Sequence, residues 1–496
     1  MLCVSIVEAS VEAARRAIDE ARRAGAFVEL RIDAFDSEIR RDPEAIASLV
    51  RGRPAILTHR RPADGGLSES AETDRLHTLA SAAKQSGAWC DIELDSAEAI
   101  DRLELDRSRV LVSHHDMEST PEDLARVVDR LLAVPVAMAK IATMAVRTSD
   151  QFAHVEQLER ARTAGRSLVA IAMGEKGTAT RILGPAWGAP FTFCAVTSGR
   201  ESAAGQVPLS LMRDRYRADR LTRQSFVIGL IAGRTTYSRS PAMHNRVLAE
   251  TSTNGVYLPF AVDDLQEFLA ATVRPATRRV PWTIRGFSVT NPHKTRAAEL
   301  VDELDPLARR VGAINTIVVG NDGRLTGFNT DVEGAMGPLE EAVGSLVGAR
   351  IGVIGAGGAA RAVVAGLAER GARTTVFARE LSRAREVAGA FGADAGELCE
   401  IGSAELDVLV NATPVGTSGD TEGESPVPAN VLKGVGLVFD LVYAPERTRL
   451  LIDAEARGCR TLGGRPMLAA QAARQFELWT GTRVSAEQMT AAWSDE

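Results

Sequence analysis

The stretch Ala349-Arg350-Ile351-Gly352-Val353-Ile354-Gly355-Ala356-Gly357-Gly358-Ala359-Ala360-Arg361 decides the fold of the chain's second half. An apolar run of strand length leads directly into Gly355-x-Gly357-x-x-Ala360, and a helical segment follows the glycines. Glycine-rich turns alone are common. Between a strand and a helix, they let the backbone approach a pyrophosphate, which rests on the helix N-terminus. The predicted contacts are Gly355, Ala356, Gly357, Gly358 and Ala359. The next predicted strand, Arg373 to Phe377, leads into Ala378-Arg379-Glu380. A site for NAD usually has Asp or Glu at that strand end to hold the ribose 2′-hydroxyl. Here Ala378 is neutral and Arg379 follows, with Arg383 nearby. That favours a 2′-phosphate, hence NADP(H), while Glu380 argues in the direction of NAD.

The flanking segments extend this unit in both directions. A strand at Phe226–Leu230 opens a run of βα segments, and residues 466–480 read as a helix with one apolar face. The expected layout is a substrate-binding domain at 225–333, completed by C-terminal helices at about 452–492, and a Rossmann nucleotide-binding domain at 334–451. Residues 1–221 form a separate region, ending in the charged, helix-prone Met212–Arg220. Its strand candidates are 2–7, 26–32, 54–59, 88–94, 109–114, 135–141, 167–172 and 190–196, with helical stretches between them. That repetition predicts a (β/α)8 barrel, so the whole chain is α/β. Such barrels place their active sites at the C-terminal ends of the strands. The polar residues expected there are Glu29, Arg31, Arg60, Glu93, His115 and Lys140.

With 496 residues the chain is too long for one hydrophobic core. A net charge of −7 argues against a general nucleic-acid binder but leaves room for small anionic ligands held by local arginines. Cys3, Cys90, Cys194, Cys399 and Cys459 are scattered, which excludes a dense disulfide framework or a zinc ribbon and fits a reducing, cytoplasmic setting. No metal site is expected. No apolar run has transmembrane length, and Met1–Val7 reads as a first strand, not a targeting peptide.

Lysine is scarce. Of 58 basic residues, only Lys84, Lys140, Lys176, Lys294 and Lys433 are Lys. Chemistry that needs a cation able to release its proton cannot use Arg. Lys140 lies in the apolar run Val136-Ala137-Met138-Ala139-Lys140-Ile141-Ala142, where desolvation disfavours the charged form and yields an amine that attacks ketones. His115, in Ser113-His114-His115-Asp116, can act as general base and acid; Arg31 and Arg60 can clamp carboxylate and hydroxyl groups.

Residues 1–210 resemble the type I 3-dehydroquinate dehydratases. The matching segments are Glu29-Leu30-Arg31-Ile32-Asp33, Thr58-His59-Arg60 with Gly65-Gly66, Asp91-Ile92-Glu93-Leu94 and Ser113-His114-His115-Asp116. Lys140-Ile141-Ala142, Thr180-Arg181 and Ser202-Ala203-Ala204-Gly205-Gln206 continue the set in order. The resemblance implies that Lys140 forms a Schiff base with the substrate ketone and that His115 moves the proton. It further implies that Glu29, Arg31, Arg60, Arg181, Ser202 and Gln206 bind substrate. One departure is Asp64, where the family has Glu. If that carboxylate orients the histidine, the contact must be remade or bridged by water.

Residues 226–480 resemble shikimate dehydrogenase. The similarity rests on Tyr237-Ser238-Arg239-Ser240-Pro241, Val289-Thr290-Asn291-Pro292-His293-Lys294, Gly312-Ala313-Ile314-Asn315-Thr316 and Gly327-Phe328-Asn329-Thr330-Asp331. Beyond the glycine loop it continues through Asn411-Ala412-Thr413-Pro414-Val415-Gly416, Asp440-Leu441-Val442-Tyr443 and Met467-Leu468-Ala469-Ala470-Gln471. It implies Lys294 and Asp331 as the catalytic pair. Ser238, Ser240, Thr290, Asn315, Tyr443 and Gln471 would bind substrate, and Thr413 and Gly464 would join the cofactor contacts. Ser288 stands where Asn is usual, and Glu380 where Thr is usual.

Together the two resemblances imply a bifunctional enzyme. It would dehydrate 3-dehydroquinate to 3-dehydroshikimate and then reduce that product to shikimate. Other readings are a quinate/shikimate dehydrogenase of altered specificity, or a regulatory protein on the same folds. An aldolase-type Schiff-base barrel is disfavoured by the Ser-His-His-Asp and Ser-Ala-Ala-Gly-Gln segments.

Overall fold

The computed structural model describes residues 1–235 and 238–491. Tyr237, one of the residues quoted above, lies outside them. The chain forms two compact units. One consists of Met1–Val227 and Thr253–Ile284 with a short piece at Arg234; the other holds most of the remainder.

The first unit contains eight parallel strands: β1 Leu2–Ile6, β2 Phe27–Arg31, β3 Ala55–Thr58, β4 Trp89–Glu93, β5 Val110–Asp116, β6 Met138–Met144, β7 Leu168–Met173 and β8 Thr192–Cys194. Their order is β7-β6-β5-β4-β3-β2-β1-β8, the sheet of a near-closed (β/α)8 barrel. Each predicted strand is present. Three of them, β5, β6 and β7, extend past their predicted ends, because the ladders continue through His115↔Ala142, Asp116↔Thr143 and Met144↔Met173. Side chains alternate along a strand, so Asp91 and Glu93, two apart on β4, share a face. Both are almost fully buried. Register places Ser113 beside Lys140, and Ser5 beside Glu29. The interior below them is apolar, built from Cys3, Ile56, Leu111, Val169, Ile171, Phe191 and Phe193.

Thr253–Ile284 belongs to this unit as well and carries β10, Gly255–Ala261. Thr148 Oγ1 donates to the Ala261 carbonyl at 2.8 Å, Lys176 Nζ pairs with Asp263 at 2.8 Å, and the Phe152 and Phe268 rings lie 6.0 Å apart.

The second unit has two sheets. The mixed one includes, in order, β9 (Phe226–Ala232), β11 (Thr283–Val289), β13 (Thr316–Val319), β14 (Leu325–Phe328) and β12 (Glu303–Leu304). The other is wholly parallel: β17 (Asp394–Glu397), β16 (Arg373–Ala378), β15 (Arg350–Ile354), β18 (Val408–Asn411), β19 (Leu437–Asp440) and β20 (Arg460–Leu462). Strand order reverses at β15, so the Gly355 loop lies at the switch point where such sheets take ligands. Helix Arg465–Thr480 packs on the mixed sheet. Trp479 Nε1 donates to the Ile317 carbonyl at 3.0 Å, and Gln475 Nε2 to the Asn315 carbonyl at 3.1 Å.

Two candidate active sites

In the barrel, Lys140 is 5% exposed and projects from β6. Its Nζ stands 3.4 Å from Asp91 Oδ2, 3.7 Å from Glu29 Oε1, and 4.2 Å from the centre of the Phe193 ring. The surroundings are therefore mixed, where the flanking sequence suggested an apolar pocket. Both carboxylates have other partners. Ser5 Oγ and Thr58 Oγ1 donate to Glu29 at 2.7 and 2.9 Å. Arg60 donates to Asp91 at 2.5 Å, to Glu93 at 3.1 Å and to Ser113 Oγ at 2.9 Å, while Ser113 donates to Asp91 at 2.5 Å. Arg75, itself buried, pairs with the other oxygen of Glu93 at 2.9 Å. A buried charge is costly unless paired, and each charge of this lattice has an ion-pair partner. Arg31 donates through Nε and Nη2 to Asp33, at 2.9 and 2.7 Å.

His115, Lys140, Glu29, Arg31, Arg60, Arg181, Ser202 and Gln206 line one cavity. The structure thus brings every predicted barrel residue together except Glu93, which lies behind Arg60. Ser202 N and Oγ both donate to Gln206 Oε1, at 2.8 and 3.2 Å, and Gln206 Nε2 reaches Ser5 Oγ at 3.4 Å.

Two groups in the cavity each keep a buried nitrogen without a partner among the described residues. His115 Nδ1 is buried without a hydrogen bond among the described residues. Burial, and then the charges of Arg60, Lys140 and Arg31, hold this imidazole well below its ordinary pKa, so it is neutral and able to accept a proton. Arg181 is 1% exposed and makes one bond, from Nη2 to the Ala204 carbonyl at 3.0 Å, leaving Nε buried and unpaired. Burial pushes its pKa down to about 10. No carboxylate of the described residues pairs with it. A buried guanidinium without an anion is a receptor for one.

The second site is built on two helix starts. Lys294 begins helix Lys294–Leu300, and Asp331 begins helix Asp331–Val343, where the dipole favours a carboxylate. Lys294 Nζ lies 2.5 Å from Asp331 Oδ2. Asn315 Nδ2 lies 2.9 Å from Asp331 Oδ1, from Thr330 Oγ1 and from Gln471 Oε1. Lys294, Asp331, Asn315 and Gln471 therefore form one connected group. Ser238 and Ser240 are half-buried, and Ser240 N donates to Ser238 Oγ at 3.3 Å. Thr290 directly follows β11, with its N–H donating to the Ile231 carbonyl at 3.0 Å. Tyr443 has its phenol pKa pushed up by burial, with Arg239 opposing.

The glycine loop lies close to that pair: a Cβ built on Gly358 would stand 3.4 Å from Lys294 Cδ. Gly355 has φ +121°, and a Cβ there would approach the Ala412 carbonyl and Thr413 Cγ2 at 3.2 Å, so glycine is required. Gly357 caps helix Gly358–Glu369, whose first turn carries no acidic residue, and the space over Gly357 is open. Thr413 donates from N and Oγ1 to Asn411 Oδ1, at 3.0 and 2.7 Å, and Asn411 donates to the buried Asp440 at 2.9 Å. A Cβ on Gly464 would fall 2.3 Å from the Leu441 carbonyl oxygen. At the end of β16, Glu380 pairs with Arg383 at 3.2 Å, and Arg379 forms no ion pair among the described residues. These features fit a dinucleotide carrying a 2′-phosphate. Among the described residues, no group of His, Cys, Asp or Glu is placed to hold a metal ion.

Comparison with known proteins agrees with both geometries. Residues 2–223 match the family model for type I 3-dehydroquinase. Residues 230–317 match the shikimate dehydrogenase substrate-binding domain, 339–419 the shikimate/quinate 5-dehydrogenase model, and 464–492 the shikimate 5-dehydrogenase C-terminal domain. A chloroplastic bifunctional 3-dehydroquinate dehydratase/shikimate dehydrogenase of Arabidopsis thaliana is 33% identical, over 97% of this chain and 82% of its own length. The chain belongs to the bifunctional 3-dehydroquinate dehydratase/shikimate dehydrogenase family. An NADP(+) shikimate dehydrogenase of Methanopyrus kandleri is 41% identical over 54% of the chain and 94% of its own. A crystal structure of a shikimate dehydrogenase in complex with NADP+ superposes with a TM-score of 0.51 at 33% identity, covering 55% of this chain and 96% of that one.

Within this family the departures in the sequence acquire specific settings. Asp64 does not reach His115. It pairs with Arg61, because the short 3-10 turn Pro62–Asp64 folds it back on the residue three positions earlier. Ser288 is buried on β11 opposite Thr316. Two residues that contact the functional groups carry no role in the sequence reading: Asp91 and Phe193. Asp91 was detectable as the partner of Glu93 at strand spacing. Phe193 carried no signal beyond being an apolar residue in a strand.

Proposed function

We propose that this chain carries out two consecutive reactions, at Lys140 and at the Lys294–Asp331 pair. At the first site Lys140 attacks the ketone of 3-dehydroquinate, and loss of water gives an iminium. His115 takes the proton from the adjacent carbon, the iminium accepting the electron pair, and returns it to the β-hydroxyl as the C–O bond breaks. Hydrolysis then releases 3-dehydroshikimate and the lysine. Arg181 holds the substrate carboxylate, while Glu29, Arg31 and Arg60, with Ser202 and Gln206, meet its hydroxyls and cover it. Asp91 and Glu29 flank Lys140 and orient its Nζ.

At the second site Lys294 and Asp331 deliver a proton to the ketone oxygen of 3-dehydroshikimate, giving shikimate. Ser238, Ser240, Thr290, Asn315, Tyr443 and Gln471 bind that substrate. NADPH supplies the hydride. The loop Gly355–Ala359, with Thr413 and Gly464, holds the pyrophosphate and nicotinamide portions, and Arg379 and Arg383 hold the 2′-phosphate. By sequence we take the domains as 1–221, 225–333 with 452–492, and 334–451, although Thr253–Ile284 belongs to the barrel's compact unit.

The observation that carries this reading is the unpaired Arg181 in the same cavity as neutral His115 and Lys140. It is an anion receptor beside a base and an amine. Borohydride trapping with 3-dehydroquinate, followed by peptide mapping, tests it. Label is expected on Lys140; label elsewhere, or none, refutes the assignment. NADPH consumption with 3-dehydroshikimate tests the second half. We place the enzyme in the cytoplasm, supported by five free cysteines. Among the described residues no helix is long and apolar enough to cross a membrane. The partners are the small-molecule substrates, with neither nucleic acid nor membrane among them.

A further inference from the structure

The barrel has a second cavity, at the end opposite Lys140. Phe27, Trp89 and Met138, the first residues of β2, β4 and β6, form its walls together with Phe191. Its volume is about 740 Å³, within the range of small-molecule sites. The walls are aromatic: Phe27 and Phe191 meet edge to face at 4.9 Å. Phe27, Trp89 and Met138 are each only partly buried, so the cavity presents apolar surface.

The cations at its rim are Arg22, Arg53 and Arg213. Arg53 is satisfied by Asp19 at 3.4 Å. Arg22 is not: both its Nη1 and Nη2 are buried and lack a hydrogen-bond partner among the described residues. Arg213 stands close to Gly25, its Nη2 3.0 Å from where a Cβ would lie. No carboxylate pairs with Arg213 among the described residues. Asp219, the one acidic residue lining the cavity, acts on the Met1 amino group. Burial, and then the neighbouring Arg53, hold the Arg22 pKa below its usual value, with Asp19 opposing. A planar guanidinium with two unmet donors recognises a carboxylate in fork geometry.

We propose that the floor of the barrel is a second binding site, for a small aromatic carboxylate whose ring stacks among Phe27, Trp89 and Phe191 and whose acid group meets Arg22 and Arg213. The dehydration chemistry takes place at the other end of the barrel and uses none of these residues.

Calorimetric titration of the full chain with 2-naphthoate and 2-naphthamide tests this, because the two share a ring and differ in charge. The acid is expected to bind at one site per chain, and the amide roughly tenfold more weakly or worse. Arg22→Gln combined with Arg213→Gln should weaken the acid by about the same factor and leave the amide unchanged. Both arginines reach the rim, and circular dichroism with the two enzymatic rates checks that the variant is folded. Binding should persist in Arg181→Met, which empties the catalytic cavity of its carboxylate receptor. No binding of the acid overturns the proposal. So do equal affinities for acid and amide, an unaffected double variant, or loss of binding in Arg181→Met.

Discussion

Replacing Arg181 by Met should make the barrel more stable and nearly inactive. The guanidinium is fully buried and has no anion among the described residues, and burial pulls its pKa from the ordinary arginine value down to about 10. At 1.36 kcal/mol per pH unit, the charged form is disfavoured in the fold by about 3 kcal/mol. The sign follows from linkage. A cation whose folded pKa is depressed binds its proton more readily when unfolded, so the penalty is present in full below about pH 10, across the physiological range. Met removes the charge and keeps much of the volume. It also forfeits the hydrogen bond to the Ala204 carbonyl, a loss of about 1 kcal/mol. The net gain is about 2 kcal/mol, or a rise of roughly 4–8 °C in the barrel's own melting transition. The cost falls on binding. Losing one partner of a desolvated charge pair costs about 2–5 kcal/mol, so dehydratase kcat/KM should drop by roughly 30- to 5,000-fold. Calorimetric melting of the free enzyme and steady-state kinetics with 3-dehydroquinate measure the two effects. If Arg181→Met lowers the melting temperature, or leaves KM unchanged, the reasoning from an uncompensated cation fails.

Three further perturbations follow from the same structure. His115 must be neutral to accept a proton and is held well below 6.5, so the acid limb of dehydratase kcat/KM should lie clearly below pH 6.5; a limb at or above that value contradicts the burial argument. Lys294→Ala should reduce dehydrogenase kcat by roughly 10²- to 10⁴-fold while leaving the dehydratase rate intact, and equal loss of both activities would refute two independent sites. Arg379→Ala should raise KM for NADPH about tenfold and barely alter that for NADH; a parallel change in both would remove the 2′-phosphate assignment.

Much of the barrel was legible because its cause is local. A strand buried on both faces must be an apolar run, and a helix between strands must be amphipathic, so all eight strands could be read from pattern alone. The ends of β5 and β6 were not, because polar residues at a strand end look like loop residues. His115 and Thr143 remain in the ladder through backbone pairing that no side-chain pattern reports. The association of Thr253–Ile284 with the barrel unit depends on contacts such as Thr148–Ala261, separated by more than a hundred residues. Nothing in either segment announces the other. The Asp64 substitution could be read as a shortened carboxylate, but not as one turned toward Arg61, since that direction is set by the backbone of a three-residue turn.

The two lysines show why a residue type in a motif does not specify its surroundings. Both were singled out by scarcity, and both meet a carboxylate. Lys294 has one close partner, Asp331, whose second oxygen is tied by Asn315 to Thr330 and Gln471. The pair is thereby held as a unit, and side-chain Lys294 retains 21% exposure, which under the proposed mechanism leaves a path for its proton to be replaced after each turnover. Lys140 instead stands at longer range from two carboxylates, each already committed elsewhere: Asp91 to Arg60 and Ser113, Glu29 to Ser5 and Thr58. Neither is free to follow the amine. Nζ is oriented by both without a close bond to either, and the Phe193 face closes the remaining side. That arrangement suits an atom that must move onto a carbonyl carbon. The tight pair at Lys294 suits one that must stay in place and transfer only a proton.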